Sequence, residues 1–156
     1  MKKEIKNINV LISTLFGVGY FPKAPGTAGT AVAAIVYYFL PIADNMLSWL
    51  LFLSYILIMS LLSVFFITKA ENILGHDNGK IVIDEFLGYM IAVLFLPKTI
   101  WIIIGAFILF RFFDIIKPEP VNMLQKLPKG WGVMVDDLMA GVYANLVLQI
   151  IVRLIL

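Results

Sequence analysis

From Leu47 to Thr68 the chain runs for 22 residues without one charged side chain. About 20 mostly apolar residues are what an α-helix needs to cross a bilayer. Lipid offers the backbone no hydrogen-bond partner, so a spanning segment satisfies its own amides as a helix or within a closed barrel. No segment alternates with a strand period for long enough to challenge the helix. The remaining sequence agrees: 62% of the 156 residues are hydrophobic and 14% are charged. An average soluble domain is roughly 45–50% apolar and about 25% charged. The length is that of one domain, residues 1–156, and one core of that size cannot hide so much apolar surface. The composition excludes intrinsic disorder. The absence of cysteine excludes a disulfide scaffold. A net charge of +2 is too weak to draw nucleic acid.

Four further segments are candidate spans. Ala24–Ala43 is uncharged, with a first third rich in Gly, Thr and Pro. Ile81–Leu96 is short and holds Asp84 and Glu85; Thr99–Ile116 holds Arg111 and Asp114; Val133–Leu156 holds Asp136, Asp137 and Arg153. Pro41, Pro97 and the cluster Pro118, Pro120, Pro128, Gly130 mark turns between them. A sixth helix is expected over Lys3–Phe16, where Ile5, Ile8, Ile12, Leu15 and Phe16 recur at helical spacing and suit the membrane surface. It is not a cleavable signal peptide, because Lys6, Asn7 and Asn9 interrupt it and no small-residue cleavage site follows. The expected fold is therefore all-α: a polytopic membrane bundle of about five transmembrane helices plus an N-terminal amphipathic helix.

Five alternating spans divide the cations unevenly. Lys2, Lys3, Lys6, Lys23, Lys69, Lys80, Lys117, Lys126 and Lys129 fall on one side, and Lys98 and Arg153 on the other. Cytoplasmic loops carry such an excess, so the N-terminus and those loops are expected in the cytoplasm. The acids follow the same division. Asp84 and Glu85 begin the third span on that side, Asp114 ends the fourth, and Asp136 and Asp137 begin the fifth.

Three helices thus bring five carboxylates to one depth. Charges in a span cost free energy and repel one another, and bound cations relieve both penalties. Mg²⁺ prefers oxygen ligands and binds one or two carboxylates together with substrate phosphate. Neighbouring acids on a helix point about 100° apart, so one member of each pair can face a metal while the other holds a second metal, a water or a base. An acid in a first helical turn also favours the helix dipole, which accounts for Asp84 or Asp136 alone but poorly for both pairs with Asp114.

Two other elements carry chemistry. The loop Gly17–Thr30, with Pro22, Pro25, Gly26 and Gly29, runs into the first span. Free N–H groups at a helix N-terminus suit phosphate. Thr27 and Thr30 add hydroxyls and Lys23 a positive charge. No Gly-Lys-Ser/Thr follows, so it is not a Walker A loop, and small residues in membrane helices also serve close packing. In Arg111-Phe-Phe-Asp114-Ile-Ile-Lys117, Arg111 and Asp114 share a helix face. Either they form an internal ion pair, or Arg111 and Lys117 meet an anionic headgroup while Asp114 meets a metal. The single histidine, His76, excludes a histidine-based phosphatase and a multi-histidine metal site.

Four segments resemble signatures of the phosphatidylglycerophosphatase A family. They are Gly19-Tyr-Phe-Pro-Lys-Ala-Pro-Gly-Thr-Ala-Gly-Thr30, Asp84-Glu-Phe-Leu-Gly88, Phe113-Asp-Ile-Ile-Lys-Pro-Glu-Pro120 and Gly132-Val-Met-Val-Asp-Asp-Leu-Met-Ala-Gly141. They stand in the family's order and cover nearly the whole chain. The resemblance implies a compact helical bundle in the bacterial inner membrane. It implies a Mg²⁺-dependent enzyme that hydrolyses phosphatidylglycerophosphate to phosphatidylglycerol and phosphate, in phospholipid biosynthesis. Together the two readings expect a cytoplasm-facing site. Asp84, Glu85, Asp114, Asp136 and Asp137 would be catalytic, with Asp84, Glu85, Asp136 and Asp137 on the metal. Lys23, Gly26, Thr27, Thr30, Arg111 and Lys117 would hold the phosphate. The partner is a phospholipid in the bilayer, with no obligate protein partner. The competing class is a cation-coupled small transporter, which would place its carboxylates at the midplane and not near one face.

Overall fold

The computed structural model describes residue 4 and residues 6–155. Among these residues every regular element is helical. Helix α1 is Ile8–Ser13, followed by a 3-10 turn at Val18–Tyr20; α2 is Pro25–Phe39, α3 Met46–Leu74, α4 Ile83–Ala92, α5 Ile100–Ile116, α6 Val121–Leu124 and α7 Gly130–Ile155.

Local chemistry sets these limits. Helix α1 is shorter than the expected Lys3–Phe16: Lys3 and Ile5 lie outside the described residues, and left-handed Leu15, Phe16 and Gly17 stop it. Pro25 opens α2 at its first position, where no N–H is needed. Leu40, ahead of Pro41, is extended and ends it. The Asn45 side chain accepts from Ser48 N at 2.9 Å to cap α3, and Gly75 at φ 100° releases it. Thr99 caps α5, which ends at left-handed Lys117 ahead of Pro118. The four-residue helix α6 was not anticipated; it fills the proline-rich turn.

Helices α3 and α7 are long and apolar enough to cross a membrane. Leu50, Leu51, Leu57, Ile58, Leu61 and Leu62 of α3 are exposed, an apolar face too large for water to cover comfortably. Helix α4 is the centre of the bundle. Eight of its ten residues are buried, among them Leu87, Tyr89 and Met90, and α2, α3, α5 and α7 pack around it. It is shorter than the expected Ile81–Leu96 because the chain bends at Val93 and left-handed Phe95 before Pro97. The carbonyls freed by that break still need donors. Asn145 Nδ2 donates to Ala92 O at 3.1 Å and Leu94 O at 2.7 Å, and Gln149 Nε2 to Phe95 O at 3.1 Å. Two polar side chains inside apolar α7 are thereby explained.

Candidate active site

The site is assembled where α4 crosses α7. Asp84 and Glu85 sit in the first turn of α4, and Gly88 follows Asp84 by four residues. On α7, Gly141 follows Asp137 by the same interval. A Cβ on Gly88 would lie 2.6 Å from Asp137 O, and one on Gly141 would lie 2.2 Å from Gly88 O. The two backbones therefore touch one turn beyond the acids. At that separation Asp84, Glu85 and Asp137 can place one carboxylate oxygen each within 4.8 Å of one another.

Asp136, about 100° further round the helix from Asp137, is not one of this trio. It bonds the Lys117 ammonium instead. Burial alone pulls the Lys117 pKa down, but the bond to Asp136 and the charges of Asp136, Asp137 and Asp114 outweigh it and hold it above the ordinary lysine value. The left-handed turn at Lys117 is what brings its side chain back toward α7. From α5, Arg111 bonds Asp114 and stands 3.9 Å from Glu85 Oε1. The expected Arg111–Asp114 pair thus exists, and the same guanidinium also reaches the acids of α4.

Helix α2 closes the site with its N-terminus. A Cβ on Gly26 would meet Glu85 Oε1 at 2.2 Å and Arg111 Nη1 at 3.0 Å, so only glycine lets this backbone approach. The other expected phosphate-binding residues of this segment are placed differently. Thr30 is buried and its hydroxyl donates to Gly26 O at 3.0 Å. Thr27 turns away from the acids to line a surface groove. Lys23 is exposed in a left-handed conformation and pairs with no carboxylate among the described residues. His76 lies apart, bonded to Glu71. Sequence reasoning missed Gly88 and Gly141. Their common spacing of four from an acid was the available signal.

The donor set fits a hard divalent cation. It consists of carboxylate oxygens, and Asp84 Oδ1 and Glu85 Oε2 are buried without a hydrogen-bond partner. Buried polar atoms in folded proteins are almost always partnered. Asp84, Asp114, Asp136 and Asp137 are at most 9% exposed, and the only cations bonded to these acids or within 4 Å of them, among the described residues, are Arg111 and Lys117.

Fold and site together define a class: an apolar helical bundle that gathers acids, an arginine and a lysine at one end, suited to hold a cation beside an anionic group. Comparison with known proteins makes the class particular. The phosphatidylglycerophosphatase A family profile matches residues 11–152. A phosphatidylglycerophosphatase A of Haemophilus influenzae is 38% identical over 150 residues, 93% of this chain and 90% of its own. That of Escherichia coli is 34% identical over 144 residues, 90% of this chain and 81% of its own. A Bacteroides thetaiotaomicron protein, provisionally named a phosphatidylinositol-3-phosphatase, is 37% identical over 148 residues, 90% of this chain and 91% of its own. No solved structure matches at a significant level. The chain belongs to the phosphatidylglycerophosphatase A family of phosphatases.

Proposed function

We propose that this protein is a Mg²⁺-dependent phosphatase that converts phosphatidylglycerophosphate to phosphatidylglycerol and phosphate in phospholipid biosynthesis. The observation that carries the proposal is the convergence of Asp84, Glu85 and Asp137, with orphaned buried oxygens, beside Arg111. Asp84, Glu85 and Asp137 would hold the cation. Bound there, it supplies Lewis-acid polarisation of the phosphoryl group and acidifies water. Arg111 pairs with non-bridging phosphate oxygens in a fork that matches them. The free N–H groups at the start of α2 face the same place. Lys117 holds Asp136 in place through their ion pair. Water attacks phosphorus: the new P–O bond forms, the glycerol P–O bond breaks, and the water's proton passes to a carboxylate while the leaving alkoxide takes one up.

The whole chain is read as multi-pass in the bacterial inner membrane, with about five spans and the acids facing the cytoplasm. The side of the excess lysines supports this orientation. The α1 segment lies along the surface of that side. Helix α4 crosses only part of the bilayer and is shielded by its neighbours. Phosphate release by purified protein tests the function. Turnover of phosphatidylglycerophosphate with Mg²⁺, lost in EDTA and restored by Mg²⁺, is the expected result. The Bacteroides relative's name makes phosphatidylinositol 3-phosphate the comparison substrate, and faster release from that lipid would reassign the headgroup.

A further inference from the structure

A groove of about 760 Å³ runs along the outer face of α2. Ala24, Ala28 and Ala31 form one wall, at successive turns of the helix, and their small side chains leave it deep. Gly17, Val18 and Phe21 form the other. That second wall is pinned in place. Gly19 lies so close to the Lys80 carbonyl that a Cβ would fall 1.8 Å from its oxygen. The Tyr20 hydroxyl donates to Glu4 at 2.9 Å, and the Lys80 ammonium sits 5.0 Å from the Tyr20 ring centre. Lys80 in turn stands just ahead of α4, so one anchor positions both the groove and the helix that carries Asp84 and Glu85.

The groove starts one residue along α2 from the backbone that abuts the acids. Thr27 lines it, and the preceding residue, Gly26, is the one whose backbone abuts Glu85 and Arg111. The two positions are separated by about 100° around the first turn of α2. Pro22 and Ala24 both line the groove, which puts exposed Lys23 on its rim. From Ala24 to Val32 it follows α2 for about 12 Å away from the acidic end. Beside one another at this end of α2 thus stand, in the order of a phospholipid's own parts, the acids with Arg111, then Lys23, then the apolar groove.

We propose that this groove holds one acyl chain of the lipid whose phosphate sits at the acids. The inference rests on the lipid-phosphatase reading and adds where the substrate's apolar part binds. Lys23 meets the glycerol phosphate region at the rim, which accounts for a cation that bonds none of the acids. Seating the chain here draws the headgroup around the first turn of α2 onto Arg111.

Two measurements test it. The first compares long-chain phosphatidylglycerophosphate with its deacylated, water-soluble headgroup as substrates. Ala28→Trp and Ala31→Trp fill the groove. They should lower kcat/KM for the long-chain lipid at least about tenfold, ~1.4 kcal/mol, and leave the deacylated substrate within about twofold. Equal losses on both substrates, or no loss on either, would overturn the proposal. The second uses the unaltered protein and phosphatidylglycerophosphate bearing a diazirine on one acyl chain, in phosphatidylcholine vesicles. Photolabel concentrated on Val18, Phe21, Ala28 or Ala31 supports the groove. Label spread over the outer face of α3 with no excess there overturns it. Labelling in the groove without any phosphate release would keep the acyl site and discard the phosphatase reading.

Discussion

Asp136 and Asp137 are neighbours with different partners. Asp137 joins Asp84 and Glu85 around one point, while Asp136 is bonded to Lys117. Substituting Asp84→Asn, Glu85→Gln or Asp137→Asn should weaken Mg²⁺ binding, measured calorimetrically, and lower turnover about 100-fold. Arg111→Ala should lower turnover by a similar factor with Mg²⁺ binding largely kept, because a guanidinium has no lone pair to give a metal. Arg111→Lys should recover little, since an ammonium cannot reproduce the bidentate fork. Retention of near-normal turnover in two of the three acid variants at low Mg²⁺ would dismiss the trio as the metal site. The identity of these residues was legible from acids recurring inside apolar runs. Their different partners were not, because a one-residue step around a helix has meaning only once the neighbouring helix is in place.

At the scale of elements, the crossing of α4 and α7 is the critical dimension. Gly88 and Gly141 let the backbones touch, and the acids lie one turn away. Gly88→Ala or Gly141→Ala forces a methyl into a carbonyl, an overpacking that costs about 1–3 kcal/mol and spreads the carboxylates. Both variants should unfold at lower temperature in detergent and bind Mg²⁺ more weakly. Gly79→Ala, where a Cβ meets nothing within 4 Å, should change neither. A Gly141→Ala protein with unaltered Mg²⁺ affinity would show that the crossing does not set the site. The spacing was visible in the sequence, but small residues in apolar helices usually mean packing alone. The break in α4 was foreshadowed by Pro97, whereas its rescue by Asn145 and Gln149 needed the fold, since donor and acceptor stand 51 and 54 positions apart in the sequence.

The whole molecule gathers its buried aspartates, Glu85, Arg111 and Lys117 at one end. On the proposed topology that end faces the cytoplasm. A reporter fused after Lys80 or after Lys126 should read cytoplasmic, and one inserted near Asp44 external. An external signal from the Lys126 fusion would overturn the sidedness. The exposed apolar face of α3 belongs to this scale too: it suits acyl chains better than water.

An all-helical architecture, its approximate boundaries and the candidate acids and cations were legible in the sequence alone. Those features depend on local quantities: the run of apolar residues, the turn-forming prolines, and the rarity of charge where charge is costly. The tertiary structure decided the rest. It reduced the metal candidates to Asp84, Glu85 and Asp137, assigned Asp136 to Lys117, committed Thr30 to its own helix and moved Thr27 and Lys23 to a groove. These outcomes depend on the distance and rotation between helices, which close packing between remote glycines fixes and no local run of residues encodes.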